Sequence, residues 1–250
     1  MFAALSDQIV ASLLLSLRIA PTFAFAPPFT LIRTPATVRL LLSLGLAYWL
    51  VAANPESTAL AERSSVAAAA VSELMLGLTF ALALQLAFAA LLTAGRALDI
   101  QVGFALAQVA DPTLRTQMPL VGTLFVYAAG AIFFSTGATA DVLAIWSRSL
   151  TAAPLGSFAG AFDLAALLEY IRAVFVLAVG LAGVVFMTLF LIDLAIAFMS
   201  RTLPQMNVLV LGFQVKTLAL LVTLPFVFTY SGSLFLRLFR LALDAMPGVI

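Results

Sequence analysis

The chain has 250 residues, of which 64% are hydrophobic and only 9% are charged, whereas soluble domains carry about 25% charged residues. This composition excludes an ordinary soluble fold, because so few polar side chains cannot form a wetted exterior. The formal net charge of +1 argues against a strongly basic nucleic-acid surface, and the lack of histidine and cysteine excludes disulfides, a Ser-His-Asp triad and a typical zinc site.

The apolar runs predict an all-α membrane protein with about six long hydrophobic helices in hairpins. A membrane helix needs about 20 largely apolar residues. The expected helices span 8–26, 38–53, 66–94, 119–136, 168–200 and 207–230, and the last trails into an amphipathic C-terminal stretch. Prolines fall between most of these runs and mark their boundaries. Without an internal repeat or a low-complexity linker, we expect one membrane domain over 1–250.

The N-terminus has no basic residue before Arg18. A secretory signal peptide starts with a positively charged region, so we expect the first apolar segment to remain in the mature chain.

Ionisable side chains inside the apolar runs are the first candidates for function. An arginine at a helix centre costs about 2.5–3.5 kcal/mol, so Arg18 is expected to face protein or water unless it snorkels outward. Glu73 must pair or contact water, and a structural pair is favoured over a proton relay. Gln85 follows on the same helix. Small residues recur there at helical spacing and predict close helix packing: Ala83, Ala87, Ala90 and Ala94.

The stretch 93–104 is the most unusual, because it places Arg96, Asp99 and Gln101 between apolar runs. Gly95 and Gly103 permit backbone geometries or close approaches that other residues resist. If the stretch is helical, Arg96 and Asp99 are spaced to pair. We interpret it as a loop or broken helix lining an aqueous path, since such backbone at membrane depth requires protein or water around it. A plain extramembrane loop is the alternative.

A polar turn joins the last two long helices. Asp193 and Arg201 precede the turn, and Lys216, the only lysine, lies inside the following run. Opposite charges near one helix–helix turn predict a buried ion pair, which often serves packing specificity. The turn itself contains Pro204 and the polar residues Gln205 and Asn207.

Three blocks of residues, spread in order over nearly the whole chain, carry a resemblance to a known family. The first contains Arg18, Ala26-Pro27, Pro35 and Val38-Arg39. The second contains Glu73, Gly77, Gln85, Phe88-Ala89, Thr93-Ala94-Gly95, Gln101, Gly103-Phe104, Ala107 and Asp111-Pro112. The third contains Asp193, Arg201, Pro204-Gln205, Asn207, Gly212-Phe213 and Lys216. Together they resemble the FliR family of flagellar biosynthesis proteins and its injectisome counterparts.

The sequence departs from the family pattern at two places. An Asn-Gly-His step is replaced by Ser135-Thr136-Gly137-Ala138, and a Gly-Phe-Pro step reads Gly212-Phe213-Gln214. Any role of that histidine or proline is therefore not carried over to this chain.

The resemblance implies a non-enzymatic subunit without a cofactor, in the bacterial inner membrane and the flagellar basal body. It implies one copy of a fold resembling a fusion of FliP-like and FliQ-like subunits. Such a copy joins several FliP-like and FliQ-like partners, with FlhB-like and FlhA-like components nearby, in a pore for unfolded flagellar proteins.

The same resemblance implies that the segment around Asp99–Pro112 projects into the lumen and plugs the closed gate. The pore or plug candidates are Asp99, Gln101, Gly103, Phe104, Asp111, Pro112 and Met118, of which Phe104 and Met118 are proposed to seal the pore. The assembly or buried-charge candidates are Arg18, Glu73, Gln85, Arg96, Asp193, Arg201, Pro204, Gln205, Asn207 and Lys216.

Three alternatives to a flagellar gate subunit stay open from the sequence. An injectisome subunit shares the same blocks. A small-solute secondary transporter would use Glu73, Asp99 and Asp193 to bind cations or protons. A membrane-embedded enzyme is the weakest alternative, because the usual catalytic base and nucleophile types are missing.

Overall fold

The computed structural model describes residues 2–54, 65–104, 119–157, 163–202, 208–230 and 232–248. Within these ranges the chain forms α-helices and one short 3-10 helix, Phe29–Leu31, and no β-strand. In chain order the helices are α1 Phe2–Phe25, α2 Ala36–Ala53, α3 Val66–Val102, α4 Leu120–Ser135, α5 Ala138–Ala152, α6 Leu164–Thr202, α7 Val208–Tyr230 and α8 Gly232–Gly248.

The lengths and apolarity of these helices confirm the predicted all-α membrane fold. Within the described ranges, α1, α2, α3, α6 and α7 are each long and apolar enough to cross a membrane, and the candidate spans there number six if α4 and α5 form one broken span. The six predicted runs correspond to α1–α4, α6 and α7, while the amphipathic C-terminal stretch corresponds to α8.

Helix α3 is longer than expected, which corrects the interpretation of residues 93–104. The expected loop or broken helix is wrong over 93–102, because α3 continues without interruption to Val102. Ala94, Leu98 and Val102 are buried at successive helical turns, so the apolar period persists beside the polar side chains. The helix ends at Gly103, whose φ of 102° lies in the region that favours glycine.

Helix α5 was not expected from the sequence. It contains Asp141 and Arg148, so it offers no charge-free run of membrane length. Its apolar face carries Val142, Trp146 and Leu150, all buried, at the four-residue spacing of one side of a helix. Helix α5 is thus amphipathic, and a helix of this kind contains no long apolar run.

The residues group into two compact units, which are described separately. The first comprises 1–87, 133–171 and 239–250, and the second comprises 88–132 and 172–238. The expectation of a single membrane domain over 1–250 stays a prediction.

In the first unit, α1 packs against α2 and against the first part of α3. A Cβ atom added to Gly77 of α3 would lie 2.6 Å from the backbone carbonyl oxygens of Leu17 and Arg18. Glycine therefore permits this close crossing. The ring of Phe23 lies 5.7 Å from the ring of Trp146, so α1 also contacts α5.

In the second unit, the end of α3 crosses α4 at two glycines. A Cβ atom added to Gly95 would overlap the backbone of Gly122, which confirms the expected close approach at Gly95. Phe228 of α7 contacts the edge of Phe125 of α4 and stacks on Phe235 of α8. These contacts join α4, α7 and the first part of α8 within this unit.

Candidate functional site

An ion pair between Arg18 of α1 and Glu73 of α3 is fully buried in the first unit. Both side chains have 0% exposure. Arg18 donates from Nε to Glu73 Oε2 at 2.6 Å and from Nη2 to Glu73 Oε1 at 2.9 Å, a bidentate arrangement. The prediction that Arg18 faces protein is confirmed, and so is the structural pairing of Glu73.

Further hydrogen bonds tie this pair to α5 and to the turn that follows it. Arg18 Nη1 donates to Ser149 Oγ at 3.0 Å, and Nη2 also donates to the Ala153 carbonyl at 2.9 Å. The backbone N–H of Gly156 donates to Glu73 Oε1 at 3.0 Å. The cluster therefore joins α1, α3 and α5. Its hydrogen bonds offset the loss of water around the two buried charges.

Sequence reasoning missed the contributions of Ser149, Ala153 and Gly156 to this cluster. A buried glutamate accepts several hydrogen bonds, so the unassigned partners of Glu73 were a signal that something else approaches it. From the sequence, Pro154 and Gly156 predict only a helix boundary. The φ of Gly156, 75°, lies in the region that favours glycine, and a sequence pattern does not predict which carboxylate the turn at this residue faces.

Two more side chains of the first unit bind backbone carbonyls. Gln85 Nε2 donates to the carbonyl of Phe25, the last residue of α1, at 2.9 Å. This contact satisfies a carbonyl that has no partner inside its own helix. Tyr170 of α6, which the sequence did not single out, is buried and donates from its hydroxyl to the Ala83 carbonyl. Both contacts fix α3 against a neighbouring helix.

In the second unit, Asp99 of α3 binds the first turn of α4. Its side chain is buried, and its two carboxylate oxygens accept from the Val121 N–H at 3.1 and 3.2 Å, in the first turn of α4. A carboxylate there satisfies free N–H groups and complements the positive end of the helix dipole. The suggested Arg96–Asp99 pair is not formed among the described residues, and Arg96 is exposed.

A second ion pair joins Lys216 of α7 to Asp193 of α6. The pairing was predicted, but the expected burial is wrong in this chain, because the Asp193 side chain is 42% exposed and that of Lys216 is 17% exposed. Lys216 Nζ also donates to the Gln101 carbonyl at 3.1 Å, in the last turn of α3. A cation at a helix C-terminus complements the helix dipole, so Lys216 connects three helices of this unit.

The remaining predicted residues have simpler positions. Phe104 contacts the edge of Phe213, with ring centroids 6.1 Å apart, and Arg201 is exposed in the last turn of α6. The predicted residues that lie outside the described ranges are Asp111, Pro112, Met118, Pro204, Gln205 and Asn207.

The sequence of this chain is similar to those of known export proteins. Residues 9–242 match the model of the family described as bacterial export proteins, family 1. The chain belongs to this family. The flagellar biosynthetic protein FliR of Bacillus subtilis is 28% identical over 259 residues, covering 98% of this chain and 96% of its own. FliR of Aquifex aeolicus is 28% identical, covering 94% of this chain and 93% of its own.

A relative named for a different secretion system is similar over a shorter region. The Yop proteins translocation protein T of Yersinia pestis is 30% identical over 148 residues, which cover 58% of this chain and 57% of its own. The resemblance stated from the sequence is confirmed by the family match.

The chain is thus a multi-pass membrane protein and an export-gate subunit of a type III secretion system, of the flagellar kind. Its family is a structural part of the export apparatus, which points away from enzymatic activity.

Proposed function

We propose that one copy of this chain assembles with several FliP-like and FliQ-like membrane subunits in the bacterial inner membrane. The assembly is a pore that passes unfolded flagellar proteins outward, with FlhB-like and FlhA-like components beside it. The observation that carries the proposal is the similarity to flagellar relatives over nearly the whole length of both chains. Because that similarity includes both compact units, the whole chain is expected to take part in the assembly.

The uneven burial of the helices supports an assembly with other subunits. In the most apolar stretch of α3, 61% of the residues are buried, compared with 28% in α6 and 17% in α7. Large side chains such as Phe190, Phe198 and Phe226 are more than half exposed. Exposed apolar surface of this extent marks contact with other proteins or with lipid, and a subunit of a membrane complex requires both.

The partners of the three candidate carboxylates weaken the transporter alternative. Glu73 is held by Arg18, Asp193 by Lys216, and Asp99 by the start of α4. A cation-binding site requires carboxylate oxygens that are free to coordinate the substrate ion. The three candidate carboxylates are instead engaged within the chain, as expected for residues that support a structural subunit.

A secretion assay tests the flagellar function and separates it from the injectisome alternative, to which the shorter similarity to the Yersinia relative corresponds. Deleting the gene should abolish the export of hook and filament proteins into the medium, and the wild-type gene on a plasmid should restore it. Normal flagellar export combined with loss of another type III substrate would overturn the flagellar assignment in favour of an injectisome.

We also propose that residues 99–111 close the resting gate, in agreement with the implied plug. Two contacts support this role, because they hold the first residues of this stretch, at the end of α3, against α7 and α4. Lys216 binds the last turn of α3, and Asp99 binds the first turn of α4. Since Asp99 is buried, its role in the plug is to anchor it rather than to line the lumen.

Shortening this stretch tests the plug. A deletion within 105–110 leaves both anchoring contacts in place and should make the resting membrane leak small solutes, measured by the uptake of a membrane-impermeant dye. A deletion within 56–61, in the connection between α2 and α3, is the control and should not cause leakage. Unchanged dye uptake in a 105–110 variant that still assembles would refute the plug.

A further inference from the structure

A cavity of about 360 Å³ lies in the first unit, between α5 and the C-terminal part of α8. Four charged side chains line it: Asp141 and Arg148 from α5, and Arg240 and Asp244 from α8. All four are exposed. Each helix thus contributes one carboxylate and one guanidinium group, and the formal charges around the cavity sum to zero.

These charges do not neutralise one another in pairs. Within the described ranges, none of these four side chains takes part in an ion pair. Two carboxylates and two guanidinium groups beside one cavity therefore remain available to a ligand. A ligand that satisfies both kinds of group must carry a positive and a negative charge.

The rest of the cavity lining is mainly apolar. Phe80 of α3, Ile145 of α5 and Leu243 of α8 contribute to it, and Phe80 and Leu243 are buried. A charged rim above an apolar floor matches an amphiphile with a charged head and a hydrocarbon chain. In a membrane protein, lipid is the amphiphile present at the highest concentration, which favours it over a soluble zwitterion or a peptide.

The chemistry of the rim distinguishes among phospholipid headgroups. Arginine forks match phosphate oxygens, so Arg148 and Arg240 suit the phosphodiester. The carboxylates of Asp141 and Asp244 accept hydrogen bonds from a primary ammonium, which has three N–H donors, whereas a quaternary ammonium has none. The same carboxylates repel a headgroup with net negative charge.

The inner end of the cavity reaches the buried charge cluster. Ser149 and Ala153 line the cavity, and both accept hydrogen bonds from Arg18. An occupant therefore lies against the residues that join α1, α3 and α5. A ligand that binds only the folded unit stabilises it, so occupancy is expected to raise its thermal stability.

We propose that this cavity binds a zwitterionic phospholipid with a primary ammonium headgroup, a phosphatidylethanolamine, with its phosphate on the arginines and its ammonium on the aspartates. Recognition of the headgroup distinguishes this site from the general contact of apolar helices with the bilayer. The residues that line the site all belong to this chain, whichever subunits accompany it.

Native mass spectrometry tests the proposal on the detergent-extracted protein, together with whatever subunits accompany it. The sample is exchanged into micelles containing equal amounts of phosphatidylethanolamine, phosphatidylcholine and phosphatidylglycerol. Phosphatidylethanolamine should be retained about tenfold over each of the others, the effect expected from one charge-assisted hydrogen bond. Equal retention of the three lipids by the wild-type protein would overturn the proposal without any variant.

Charge-neutralising variants assign the lipid to this cavity. The Arg148→Gln/Arg240→Gln variant should lose the bound lipid, while Asp141→Asn/Asp244→Asn should lose the preference for ethanolamine over choline. An exposed pair outside the cavity, Asp7→Asn/Arg33→Gln, is the matched control and should retain the preference. Wild-type selectivity in both cavity variants would overturn the assignment.

Photo-crosslinking separates a lipid from a protein occupant. A photoreactive amino acid placed at Ala144, which lines the cavity and is exposed, should gain the mass of one phospholipid on irradiation. The same residue placed at Ala52, exposed on α2, should not gain it selectively. A crosslink from position 144 to a polypeptide would overturn the lipid assignment in favour of a docked protein segment.

Discussion

Replacing Glu73 with glutamine is the sharpest test of the buried cluster that joins α1, α3 and α5. The substitution keeps the size of the side chain but removes the charge that pairs with Arg18, which is itself fully buried. Breaking a buried pair at one partner costs about 3–5 kcal/mol, because the other charge stays desolvated without compensation. This loss is a large part of the total stability of about 5–15 kcal/mol that is typical of proteins.

The expected result is a fall in the melting temperature of the detergent-purified protein. With about 2–4 °C per kcal/mol for a chain of this length, the fall is about 6–20 °C. Thermal unfolding followed by circular dichroism at 222 nm measures it. Asp7→Asn makes the same charge change at an exposed position of α1 and should leave the melting temperature within about 2 °C of the wild type.

A double variant distinguishes the cost of leaving Arg18 buried without a partner from the cost of altered packing. Arg18→Met/Glu73→Met removes both charges and should recover part of the stability, since apolar residues of similar volume often replace a buried pair without loss. Recovery is incomplete, because the Gly156 N–H loses its acceptor, at about 1–3 kcal/mol. Two results would refute a stabilising role for the pair. One is a Glu73→Gln variant with the melting temperature of the wild type, and the other is a double variant that is less stable than Glu73→Gln.

Three further substitutions test individual contacts, each by the same melting measurement. Gly77→Val should destabilise the first unit by about 3 kcal/mol or more, because its side chain would overlap the backbone of α1, whereas Gly45→Val has open space around it and should cost less than about 1 kcal/mol; equal losses would contradict the close crossing. Asp99→Ala should cost about 1–2 kcal/mol by removing the acceptor at the start of α4, and a melting temperature equal to the wild type would show that this contact does not stabilise the chain. Asp193→Ala should cost less than about 1 kcal/mol in the isolated chain because the pair is partly exposed, but it should reduce the yield of the assembled complex; a normal yield would contradict a role for the Lys216 pair in assembly.

The sequence was sufficient to predict the class of fold and most of the helices. Apolar runs of membrane length leave few alternatives to a helix, because backbone groups in lipid must be satisfied within the segment. The same logic placed Arg18 and Glu73 inside the protein, since neither charge is tolerated in hydrocarbon. The division into two compact units and the partners of Glu73 and Asp99 did not follow, because these depend on contacts between residues far apart in the chain.

The errors concern places where polar residues lie on otherwise apolar helices. Arg96, Asp99 and Gln101 suggested a loop, but a helix accommodates them when one face stays apolar and the polar side chains find exposure or a partner. Helix α5 was not predicted for a related reason. Asp141 and Arg148 interrupt its apolar run, while its buried face remains continuous. The period of the apolar residues is a better guide at such places than the absence of charge.

The central claim is that this chain works as one subunit among unlike membrane partners. Native mass spectrometry of the complex extracted from its own membranes, through an affinity tag on this chain, tests the claim most directly. We expect one copy of the chain together with several copies of at least two other polytopic proteins. Recovery of the chain alone or as a homo-oligomer, from cells that still export flagellar proteins, would contradict the account.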